Sequence, residues 1–94
     1  MVSIKVPTPL RQYTDGHTEV RVGGGTVGEA LDDLTAQYPD LRAHLYEGDR
    51  LRQFVNVFLG EEDIRFLQDL DTPLAEDAQL RIVPAIAGGI WPPG

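Results

Sequence analysis

The stretch TVGEALDDLTAQYP, residues 26–39, constrains the fold most, because it is the one strongly helical segment in 94 residues. Thr26 suits an N-cap, and Glu29 three residues later completes a capping-box pattern. Val27, Ala30, Leu31, Leu34 and Tyr38 then recur at helical spacing, so one stripe of the helix must be buried. Glu29, Asp32 and Asp33 fall in the early turns, where carboxylates complement the helix dipole. Pro39 stops the helix. With no second helix of this quality, the stripe has to be covered by strands.

Those strands are legible from alternation. Val2, Ile4 and Val6 alternate with Ser3 and Lys5 until Pro7 ends the run. Residues 8–18 are turn-rich, with Asp15-Gly16 the strongest turn signal, and Val20 and Val22 then share one face of a second strand. FVNVFLG, residues 54–60, predicts a third, followed by the turn GEED and a short strand IRF at 64–66. Residues 67–78 read as a loop or single helical turn, with Pro73 and Leu74 packing inward. In QLRIVPA, residues 79–85, Leu80 and Ile82 alternate with Arg81 and Val83 in a last strand. Residues 40–53 are ambiguous, with Leu41 and Leu45 able to anchor a short helical turn. The order strand, strand, helix, strand, short strand, strand predicts an α+β fold. About five strands form a mixed sheet with the one main helix on one face. The two chain ends would lie side by side at its centre. This is the β-grasp, or ubiquitin-like, arrangement; a ferredoxin-like fold would need two full helices. The expected domain is 1–87, with a flexible tail at 88–94.

Composition narrows the function. Fifteen acidic residues against eight basic ones give a net charge of −7, which repels phosphate and argues against nucleic acid. The acidity reads first as solubility, and second as steering toward a basic protein partner. There is no cysteine, hence no disulfide and no thiolate chemistry. The opening residues do not read as a signal peptide, and no apolar run approaches the ~20 residues that span a bilayer. A soluble cytoplasmic protein without membrane contact is expected.

No residue set suggests catalysis or metal binding. His17 and His44 lack metal-like neighbours and read as surface or loop residues. Glu61-Glu62-Asp63 reads as a solvated turn, Asp32-Asp33 as the wet side of the helix. GGGT at 23–26 lacks the Walker lysine and reads as a turn plus N-cap, not a phosphate cradle.

The helix can cover only one face of the sheet. Alternation in FVNVFLG sets Val55, Val57 and Leu59 against Phe54, Asn56 and Phe58. If the aliphatic set faces the helix, Phe54 and Phe58 point outward, and Arg81 and Val83 of the last strand share their face. An exposed aromatic patch beside the C-terminal tail is a candidate docking surface. The competing reading is that loop 40–53 covers these rings.

Taken together, this pattern, FVNVFLGEEDIRF and the ending IVPAIAGG resemble the MoaD/ThiS family of sulfur-carrier proteins, and most of all its CysO-like branch. The match covers residues 2–89. The resemblance implies a protein that is no enzyme and binds no cofactor of its own. A partner related to ubiquitin activators would use ATP to adenylate the carboxylate of Gly89, and a sulfur donor would displace AMP to leave a thiocarboxylate. A sulfur-accepting biosynthetic enzyme, for cysteine, a cofactor or a thio-natural product, would then take the sulfur. Glycine suits the role because it has no Cβ to crowd the carbonyl. Residues 85–89 extended reach about 15–18 Å, enough to deliver an end into another protein.

The chain departs from that pattern at IWPPG, residues 90–94. With Ile90 attached, the carbonyl of Gly89 belongs to an amide and cannot be adenylated. Three readings stand: a precursor cut at Gly89-Ile90, in the family by a JAMM-type zinc peptidase; an added sequence foreign to the protein; or a ubiquitin-like binding module, or a modifier conjugated to other proteins. The precursor is favoured. Gly88-Gly89 on its own would read as a linker. Trp91-Pro92-Pro93 could be a frayed end, a peptidase recognition element or a segment that docks on the domain.

Overall fold

The helix forms where its cap pattern places it. The structure, a computed structural model, describes residues 1–48, 50–52 and 55–84. Its elements are β1 (Val2–Lys5), β2 (Glu19–Val22), α1 (Val27–Gln37), α2 (Arg42–Leu45), β3 (Tyr46–Glu47), β4 (Arg50–Leu51), β5 (Val55–Leu59), β6 (Glu62–Asp63) and β7 (Gln79–Pro84). Five strands build one mixed sheet in the order β2-β1-β7-β5-β6, and β3 and β4 pair separately. The central pair is parallel, with Ile4 beside Leu80, while β2 and β5 flank it antiparallel. This is the expected β-grasp.

Alternation decides which face meets the helix. Val2, Ile4, Val20, Val22, Val55, Val57, Leu80 and Ile82 are buried in one cluster with Val27, Ala30, Leu31 and Leu34 of α1. Leu10, from a 3₁₀ turn at Thr8–Tyr13, and Leu41 and Leu45, from the segment left ambiguous by sequence, close the ends of that cluster.

The start of α1 is tied down by two carboxylates. Thr26 Oγ1 accepts from the Glu29 N–H at 3.2 Å. Glu29 Oε1 accepts in return from Gly25 N–H at 2.8 Å, one residue before the position a standard capping box uses. Asp33 Oδ2 accepts from Gly23 N–H at 2.7 Å. GGGT is therefore the turn and cap its sequence suggests. Gly24 is needed for the close approach: its φ is +146°, and a Cβ there would lie 2.7 Å from the backbone nitrogen of Ala30.

Two expectations are corrected. Ile64–Phe66 is a 3₁₀ turn, and the short edge strand is Glu62–Asp63 instead. The cause is Asp63, whose Oδ1 accepts from the Arg65 N–H at 2.9 Å and turns the chain just where a strand would continue. The turn buries Ile64 beneath β5 and leaves Phe66 86% exposed. Pro73 does not pack inward: it is exposed, bridged to Thr26, while Leu74 alone is half-buried.

Tyr46 is buried under Arg42, whose guanidinium carbon sits 4.4 Å from the ring centroid. Burial, and then the charge of Asp32, push its phenol from 10.0 up to about 12, against the opposing pull of Arg42. The folded state thus holds this proton longer than the unfolded chain. The resulting stability is complete below 10.0 and is lost as pH rises to about 12.

Gly24→Ala is expected to destabilise the domain by about 1–3 kcal/mol, from strain at a positive φ and a backbone clash. Gly23→Ala, with open space at its Cβ beyond Asp33 at 3.9 Å, should stay within about 0.5 kcal/mol. Urea unfolding of the two variants checks the pair. Ultraviolet difference titration checks Tyr46: in Tyr46→Phe the highest tyrosinate transition, near 12, should disappear.

Candidate functional site: the outer sheet face and the base of the C-terminal arm

The face of the sheet turned away from α1 carries the residues that the helix does not bury. Register places Glu19, Lys5, Arg81, Phe58 and Asp63 in one row across all five strands. Val83 and Asn56 pair in the next row along β7 and β5. Lys5 and Arg81 are exposed, and Phe58, Val83 and Asn56 are half-buried. The Arg81 guanidinium carbon lies 5.3 Å from the Phe58 ring centroid, a cation–π distance. Three of the four predicted docking residues are thus brought together, along a row whose flanking charges are mixed in sign, Glu19 and Asp63 against Lys5 and Arg81. The fourth, Phe54, lies outside the described residues, and so do Gly88, Gly89 and Ile90. The aliphatic faces of β5 and β7 point to the core as expected.

β7 ends at Pro84, opposite Val55. The main-chain groups of Val55 are engaged away from β7: its N–H donates to the Arg52 carbonyl at 3.0 Å, and its carbonyl accepts from Arg65 Nη2 at 3.0 Å. Both groups of an antiparallel residue point to the same side. Val55 and Pro84 therefore form a non-hydrogen-bonded pair, and the N–H that proline lacks would face the side where β1 has already ended. Pro84 can close a central strand without removing a ladder bond. The arm that carries Gly88-Gly89 starts here.

No group of three or more His, Cys, Asp and Glu among the described residues could hold a metal ion. His44 stacks on Tyr13 at 4.1 Å, and His17 is exposed. No helix among the described residues is long and apolar enough to cross a membrane. Sequence reasoning missed the role of residues 64–71 beside β5, where Ile64 and Leu70 border a groove opposite Arg50–Arg52. Asp63, a helix-capping residue type ahead of Ile64, was the available signal.

Fold and site together define a β-grasp domain whose last described strand, β7, lies at the centre of the sheet. The ThiS family model matches residues 4–89, and the chain belongs to the ThiS family. It is 36% identical to the sulfur carrier protein CysO of Mycobacterium tuberculosis, over 94% of this chain and 98% of that one. Among solved structures, a chain of the Amycolatopsis orientalis BexX/CysO complex superposes with a TM-score of 0.89 at 36% identity, covering 95% of this chain and all of the other. Small archaeal modifier protein 1 from Methanosarcina acetivorans superposes at 0.84 with 30% identity, over 94% and 95% of the two chains.

The Arg81–Phe58 pair should be a local interaction, not a fold determinant. A double-mutant cycle of Arg81→Ala and Phe58→Ala, read by urea unfolding, is expected to give a coupling of about 0.5–1 kcal/mol.

Proposed function

We propose that this chain is a sulfur carrier, matured by removal of residues 90–94 and then converted at Gly89 to a thiocarboxylate. The observation that carries the reading is that the ThiS family model matches residues 4–89 and so ends at Gly89. The last described strand is central in the sheet and stops at Pro84, beside the outward strip of Phe58 and Val83. The 36% identity to a protein named as a sulfur carrier supports it.

Hydrolysis of the Gly89–Ile90 amide releases residues 90–94 and leaves a carboxylate; a zinc peptidase of the JAMM type suits this step. A carboxylate oxygen of Gly89 attacks the α-phosphorus of ATP on an adenylating partner, and pyrophosphate leaves. A sulfide-level donor attacks the acyl carbon, the C–O bond to AMP breaks, and a thiocarboxylate remains. A sulfur-accepting enzyme takes the sulfur as a nucleophile. ATP and the sulfur donor belong to the partners; this chain contributes a compact body, a reach of about 15–18 Å from residues 85–89 and an uncrowded carbonyl. A cytoplasmic carrier would suit partners of this kind. The BexX/CysO complex is a solved case of a relative of this fold held with another protein. Phe58, Arg81 and Val83 are the proposed docking surface for such partners, where an aromatic ring and an arginine are the residue types that carry binding energy.

A second reading follows from the similarity to small archaeal modifier protein 1. An acyl-adenylate at Gly89 attacked by a lysine amine instead of sulfide would give an isopeptide and make the chain a modifier.

Intact-mass spectrometry after incubation with peptidase, adenylating enzyme, ATP and sulfide tests the proposal. The expected product ends at Gly89 with one oxygen replaced by sulfur. A chain that persists at full length and unmodified would sink it, and a branched Gly-Gly isopeptide on a lysine would select the modifier reading. In the matured protein, Gly89→Ala should slow thiocarboxylate formation on the order of a hundredfold by displacing the reacting carbonyl. Arg81→Glu should weaken binding to the adenylating partner by about tenfold or more, with the urea midpoint little changed.

A further inference from the structure

A groove beside β5 lies outside the site just described. It encloses about 780 Å³ between Arg50–Arg52 and the segment from Ile64 to Asp71. Val55, Val57 and Ile64 form its apolar floor, and the half-buried Leu51 and Leu70 form its walls. Three of the eight basic residues of the chain, Arg50, Arg52 and Arg65, line it against two acids, Asp69 and Asp71. With Arg52 also paired to Glu47 at 3.9 Å, the slot has an apolar floor and a rim of balanced charge from which arginine guanidinium groups project.

We infer that the slot is the intramolecular seat of the C-terminal extension, with Trp91 as its anchor. Four observations converge. The described chain stops one strand away from the groove, since Pro84 stands in register with Val55, which lines it. The seven residues from Pro84 to Trp91 span up to roughly 23 Å, enough to round the end of β5 and enter from the far side. Ile90-Trp91-Pro92-Pro93 is an uncharged apolar run holding the single tryptophan of the chain. An indole placed among arginines gains both apolar burial and cation–π attraction. Gly88-Gly89, just ahead of that run, tolerates the backbone angles a reversal requires. The seat goes beyond the carrier chemistry and does not depend on it: a cap folded on the domain would hold the Gly89–Ile90 bond close to the body until it is cut.

The single tryptophan makes the test direct. In the full chain, Trp91 emission should be blue-shifted, and acrylamide quenching several-fold lower, relative to a peptide of residues 85–94. Leu70→Asp should return both to the peptide values while the circular dichroism stays native. In case that variant unfolds, deletion of residues 90–94 provides a second reading. It should shift the methyl resonances of Leu51, Ile64 and Leu70, and leave those of Val2 and Val22, across the sheet, unmoved. Peptide-like emission in the native full chain would overturn the proposal, as would unmoved groove methyls on deletion. Protection that vanishes on dilution would overturn it in favour of a second copy as the occupant. None of these readouts involves ATP, sulfide or a partner, so failure here and failure of the carrier reading are separate results.

Discussion

The parallel pairing of β1 with β7 is the contact on which the remaining structure rests. It joins residues 3–5 to residues 79–81, the two ends of the domain, and every intervening element has to be arranged around that closure. The crossover connection needed between parallel strands contains α1, whose apolar stripe covers the sheet. With Ile4 and Leu80 side by side and wholly buried, the last strand becomes a central strand. The last described strand therefore runs through the middle of the sheet, with a neighbour on each side.

That placement divides labour between the two faces. The inner face is aliphatic and closed by α1. The outer face mixes one aromatic ring, one valine and paired charges, a composition unsuited to a core but suited to a reversible contact. The division follows from the period of two in β5 and β7, because shifting either strand by one residue would exchange Phe58 with Val57 and Arg81 with Ile82.

Most of this was legible because the signals are local. A capped 3.6-residue stripe and four alternating segments are enough to suggest the β-grasp. The outer strip follows from alternation plus strand order, which is why Phe58, Arg81 and Val83 could be placed together before any coordinates. What escaped was set by side-chain bonding and tertiary convergence. The triplet Ile64-Arg65-Phe66 alternates well enough for a strand, but the Asp63 carboxylate captures the Arg65 amide and bends it. Pro73 was assigned inward by hydrophobicity, yet the backbone bonds Val27 N–H to Thr72 carbonyl and Leu74 N–H to Gly25 carbonyl fix the neighbouring residues and leave it outside. The groove joins residues 50–52 to residues 64–71 across β5, and no pattern within either segment announces the other.

The double-sided pairing of β7 also has a mechanical side. A pull on β7 directed along the strand axis loads the ladders to residues 3–5 and to residues 55–59 together, in shear. The same strand at a sheet edge would carry that load on one ladder. Central placement thus adds to the bonds that must yield together before the last described strand slides out.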